Sequence, residues 1–92
     1  MINGNIDEFM LKLCGGEEVI YTYNGRKYFT QGYNLDDGTY YFETQLWEPE
    51  ETMLWQVTGL SKQESLDAFL NEPLFEGKKF MEVEKDIEWV DY

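Results

Sequence analysis

The sequence predicts an α+β domain: an antiparallel four- to five-stranded β-meander with two helices packed on one face, in the order α-β-β-β-β-α-β. Three observations carry this. Asn24-Gly25 separates two runs rich in β-branched and aromatic residues, the strongest short-range hairpin signal, because both central residues of a type I′ turn need positive φ. Asn34-Leu35-Asp36-Asp37-Gly38 and Glu48-Pro49-Glu50-Glu51 mark two more turns and set off a third and a fourth strand. Apolar residues at helical spacing flank the meander on both sides.

In chain order, Asn5 is a good N-cap, with Asp7 and Glu8 in the first turn, where the helix dipole favours acids. Ile6, Phe9, Met10 and Leu13 follow on one face, and Gly15-Gly16 supplies a left-handed stop, so the first helix is expected at about 5–14. Strands are expected over 18–23, 27–33, 39–47 and 52–58. Ser61-Lys62-Gln63-Glu64 is a capping box, Leu66, Phe69 and Leu70 form an apolar stripe, and Pro73 ends a second helix at about 62–71. Glu76-Gly77-Lys78-Lys79 reads as a turn. Residues 78–86 carry no decisive pattern. Ile87 to Tyr92 reads as a last strand placed beside the first.

Register follows from the turns. A two-residue first loop sets Ile20 opposite Phe29 and Tyr21 opposite Tyr28. An even second loop sets Phe29 opposite Leu46, Tyr33 opposite Phe42 and Tyr28 opposite Trp47. A four-residue third turn sets Leu46 opposite Met53 and Phe42 opposite Val57. One face then carries Ile20, Phe29, Tyr33, Phe42, Leu46, Met53, Trp55 and Val57, the expected core. The other carries Tyr21, Tyr28 and Trp47 in one cross-strand row, with Tyr23 and Tyr41 nearby. These five are the candidate partner-binding residues, since Tyr and Trp give large contact area with a polar handle. The competing reading is structural: aromatic cross-strand pairs stabilise sheets, and a C-terminal segment with Phe80, Ile87 and Trp89 can fold over the row.

The 92 residues suit one domain, and 42% hydrophobic with 17% aromatic content is enough for a core. The formal net charge is −12, with −4 on residues 1–47 and −8 on residues 48–92. That sign opposes direct nucleic-acid binding, which needs cations to displace phosphate counterions, and opposes anionic membrane surfaces. It suits a basic protein partner, and equally suits plain solubility.

Histidine is absent. That removes the usual general base at neutral pH and the commonest metal ligand. The one cysteine, Cys14, makes no intramolecular disulfide and no structural zinc site, and beside Leu13 it reads as a small buried hydrophobe. The acid pairs Glu17-Glu18, Asp36-Asp37 and Glu50-Glu51 lack the cleft that carboxylate catalysis needs. Asn34 to Gly38 has the acids of a calcium loop but not its spacing, and Glu76 to Lys79 lacks the glycines of a phosphate loop. No catalytic residue, cofactor or metal is expected. The leader-free N-terminus and the cysteine count point to the cytoplasm.

Tyr28-Phe29-x-Gln31-Gly32, then Gly77-Lys78-Lys79-Phe80-x-Glu82-x-Glu84 and the ending Ile87-Glu88-Trp89-Val90-Asp91, resembles a group of small acidic bacterial proteins of unknown function. The resemblance implies a bacterial protein and assigns no site. The leading expectation is therefore a non-enzymatic protein-interaction domain that meets a partner, or a second copy of itself, through an acidic, aromatic-rich surface. The alternatives are a small-ligand module, with aromatics lining a pocket under the C-terminal segment, and an acidic inhibitor or immunity-type protein acting on a basic nucleic-acid-binding partner.

Overall fold

The computed structural model describes residues 5–90. Helix α1 (Ile6–Cys14) leads into strands β1 (Val19–Tyr23), β2 (Arg26–Asn34), β3 (Tyr40–Glu48) and β4 (Thr52–Thr58); helices α2 (Lys62–Asn71) and α3 (Phe80–Val83) follow, then a 3-10 turn over Glu84–Asp86 and strand β5 (Glu88–Val90). The five strands form one antiparallel sheet in the order β4-β3-β2-β1-β5. The α+β class and the meander are as the sequence predicts, and the last strand does pair with the first. Asp91 and Tyr92, expected to extend that strand, lie outside the described residues.

Local chemistry explains each element. The Asn5 side chain accepts from the backbone N–H groups of Asp7 and Glu8, at 3.0 and 3.4 Å, and so satisfies two donors that a helix start leaves open. Ser61 Oγ accepts from Glu64 N while Glu64 Oε1 accepts from Ser61 N, both at 3.1 Å, completing the expected capping box. This backbone hydrogen bond holds the Glu64 carboxyl below its ordinary range. Asn24 and Gly25 take φ of 50° and 79°, the left-handed pair a type I′ turn requires. A second tight turn, with Glu76 at 57° and Gly77 at 83°, closes Phe75 against Lys78 through backbone hydrogen bonds of 3.0 and 3.1 Å.

Both long helices cover one sheet face, and so does the segment from Phe75 to Ile87. Phe9, Leu13, Leu66, Phe69, Phe75, Phe80, Val83 and Ile87 come from the covering layer; Val19, Tyr21, Tyr28, Tyr40, Phe42 and Leu46 come from the sheet. Rings pack on rings: Phe9 stacks on Phe80 with centroids 5.7 Å apart, and Phe75 meets Tyr28 at 5.1 Å. Inside the core, Tyr21 Oη lies 2.8 Å from Thr30 Oγ1, which lies 3.0 Å from Thr44 Oγ1, so the buried hydroxyls satisfy one another.

The expected register fails at the second loop. The first hairpin is right, with Ile20 opposite Phe29 and Tyr21 opposite Tyr28. The β2–β3 loop, however, holds five residues, an odd number and not an even one, because the ladder closes at Asn34 opposite Tyr40. Tyr33 therefore faces Tyr41, Gly32 faces Phe42 and Phe29 faces Gln45. The odd loop turns β1 and β2 over relative to β3. Phe42, Leu46, Trp55 and Val57 lie on the helix-covered face as expected, whereas Ile20, Phe29 and Tyr33 lie on the opposite one. Phe42 does pair with Val57, but an irregularity after Thr44 sets Leu46 opposite Thr52 and leaves Met53 45% exposed. Cys14 is exposed, not buried, because it sits one position past the stripe that Phe9 and Leu13 bury.

Candidate functional site

The helix-free face of the sheet carries alternate residues of all five strands, among them Ile20 and Thr22 of β1, Lys27, Phe29, Gln31 and Tyr33 of β2, Tyr41, Glu43, Gln45 and Trp47 of β3, Gln56 of β4 and Glu88 of β5. At its centre lies Glu43, only 4% exposed although no helix covers it. Its neighbours enclose it. Gln31 Nε2 and Gln45 Nε2 both donate to Glu43 Oε2, at 2.8 and 3.0 Å. The Tyr41 hydroxyl lies 3.0 Å from Glu43 Oε1 and 2.9 Å from Gln56 Oε1, and its one proton serves either acceptor. Trp47 Nε1 donates to Gln45 Oε1 at 3.0 Å, which orients that amide so that its N–H₂ points at the carboxylate. Burial and the adjoining Glu43 carboxylate push the Tyr41 phenol up to about 12.

An apolar patch borders this polar network. The register shift between Lys27 and Tyr28 makes Trp47 a bulge residue without a direct partner on β2. Its indole lies flat on Phe29, with centroids 4.7 Å apart and planes 13° from parallel. Tyr33 packs on Tyr41 at 5.0 Å at the far end of the face and is 45% exposed.

Of the five candidate partner-binding residues, the structure places two on the helix-free face. Trp47 and Tyr41 lie on the free face. Tyr21 and Tyr28 are 0% and 1% exposed, stacked on each other at 5.6 Å beneath Phe75 and Phe80, so they cannot dock a partner; the odd loop that inverted β1 and β2 is the cause. Burial raises both phenol pKa values. Tyr23, also on the covered side, is half-buried against the edge of Phe75. The C-terminal segment thus covers Tyr21 and Tyr28 but not Trp47, and the space where a pocket was expected is filled with rings. A shallow cleft of about 400 Å³ exists elsewhere, lined by polar residues such as Thr22, Asn24, Lys27, Glu48, Asp86 and Glu88, with no aromatic among them.

Sequence reasoning missed Glu43, Gln31, Gln45 and Phe29. The signal was present in β3: Tyr41, Glu43, Gln45 and Trp47 alternate with Tyr40, Phe42, Thr44 and Leu46, a period-two split between one polar-aromatic face and one apolar face.

Comparison with known protein families, with curated proteins and with solved structures finds no match to this chain.

Proposed function

We propose that the protein is a non-enzymatic interaction domain whose helix-free sheet face docks a basic segment of a protein partner, with Glu43 receiving an arginine or lysine. The observation that supports this most is the carboxylate itself. A desolvated carboxylate is costly to hold. Here it is fixed by two amides and a phenol at the middle of a face that no other element of the described residues covers. Such a group is preorganised for a cationic side chain, and the ring of Phe29, Trp47 and Tyr41 around it excludes water from the contact. The chain's net charge of −12 attracts the same kind of partner over longer range.

Affinity capture from the source cells at low and at high salt, followed by titration of the purified partner, tests this reading. The expected partner is released by salt, and Trp47→Ala weakens it by at least about 2 kcal/mol, as truncating a central aromatic anchor does. Glu43→Gln, nearly isosteric, weakens it also while leaving the melting temperature close to the parent's. A partner held equally well by both variants would mean that the contact lies elsewhere.

A further inference from the structure

We infer that the chain self-associates through the free edge of β4, two copies pairing antiparallel about a two-fold axis at Gln56 so that their sheets become continuous. Among the described residues, β4 pairs with β3 alone, and none of its seven residues is buried. Natural edge strands are blunted by charge, by proline, by shortness or by a bulge. The opposite edge, β5, follows that rule, with three residues beginning at Glu88. Thr52–Thr58 is seven residues long and, in a chain with 28% charged residues, has no charge and no proline. The irregularity between Thr44 and Gln45 disturbs only its first half, so Trp55–Thr58 is the regular stretch.

Two features select a second copy as the occupant. The first is the distribution of charge. Glu48, Glu50 and Glu51 precede the strand, and the first charged residue after it is Lys62. Antiparallel pairing brings the acidic end of one copy to the Lys62 end of the other, whereas parallel pairing sets acid on acid. The strand between these ends presents no charge to repel its own image. The second is the match of faces. An axis at Gln56 sets Trp55 opposite Val57 on the helix side, where both are half-buried in the single chain and become covered in the pair, and sets Gln56 beside its own counterpart on the free face. Residues opposite each other in an antiparallel ladder share a face, so this axis is consistent with the placement of all three.

Sedimentation of the parent, of Gln56→Glu and of Gln56→Lys decides it. The parent's mass should rise with concentration from 11.0 kDa towards twice that. The rise should be steeper in added NaCl, which screens the repulsion between two acidic bodies; binding of a basic partner at Glu43 weakens under the same change, so the two ideas fail separately. Each variant places like charges face to face and should associate at least about tenfold more weakly than the parent. An equimolar mixture of the two, now opposite in sign at the axis, should recover the association. A parent that stays monomeric at all concentrations in high salt overturns the inference, as do single variants that associate like the parent or a mixture no stronger than its components. Amide hydrogen exchange of the parent is the second measurement: β4 amides should slow with rising concentration, and β4 amides indifferent to concentration refute the pairing even if a variant folds poorly.

Discussion

Tyr40 shows how much a single atom constrains this sheet. Its ring lies between Gly16 and Gly32, and a Cβ added at either glycine would run into Tyr40 Oη. The close approach lets Gly32 N donate to Gly16 O at 2.9 Å, which ties the α1–β1 loop to β2. The hydroxyl that fills this gap has no hydrogen-bond partner among the described residues, and its burial raises its pKa. An orphaned buried hydroxyl costs about 1–3 kcal/mol. Tyr40→Phe is therefore expected to be at least as stable as the parent in urea, with an unchanged denaturant slope. A loss of stability would mean that the hydroxyl is satisfied in solution. Glu43 is the opposite case: each of its buried carboxylate oxygens has a donor within 3.0 Å.

At the scale of elements, the tight turn at Asn24-Gly25 is the most sharply defined. Nothing lies within 4 Å of a Cβ placed on Gly25, so a side chain there meets no steric obstacle and only the left-handed backbone resists it. Gly25→Val should lower stability by about 1–3 kcal/mol through that strain alone, read as a shift in the urea midpoint. No shift would mean that the turn adopts another geometry. This turn, both helix caps and the C-terminal strand were legible in the sequence because each rests on chemistry within a few residues: Asn5 on Asp7 and Glu8, Ser61 on Glu64, Asn-Gly on its own φ angles. The helix-free face was not legible, because it depends on whether the β2–β3 loop holds an even or an odd number of residues. Asp37 Oδ1 accepting from Thr39 N at 2.9 Å and Leu35 N donating to Thr39 O at 2.7 Å close the five-residue form, and turn composition alone does not separate the two. One residue of parity exchanged Tyr21 and Tyr28 for Ile20, Phe29 and Tyr33 on the helix-free face. Phe80 to Asp86 was obscure for a different reason: a one-turn helix followed by a 3-10 turn is too short to show a period.

For the whole molecule, the buried phenols shape the alkaline pH response. Tyr21, Tyr28, Tyr40 and Tyr41 all have raised pKa values, chiefly through burial, and Tyr41 is carried from 10.0 to about 12. A group whose folded pKa lies above its unfolded value contributes full stability below the unfolded value and loses it as pH rises towards the folded one. Tyr41 alone therefore sets a window between pH 10.0 and about 12 over which the fold weakens. Alkaline denaturation should fall there, and tyrosinate absorbance should rise in step with the loss of circular dichroism; full ionisation of all seven tyrosines before any unfolding would contradict the core described above. The three indoles also divide the molecule into separately observable territories. Trp47 lies on Phe29 on the open face, Trp55 lies against Phe42 and Phe69 under α2, and Trp89 meets the edge of Phe9 beneath α1. Each emits from a different region of the structure, so three single-tryptophan versions of the chain would act as built-in fluorescent reporters: one for a visitor at the sheet, one for the α2 layer beside β4, and one for the docking of the first helix as the chain folds.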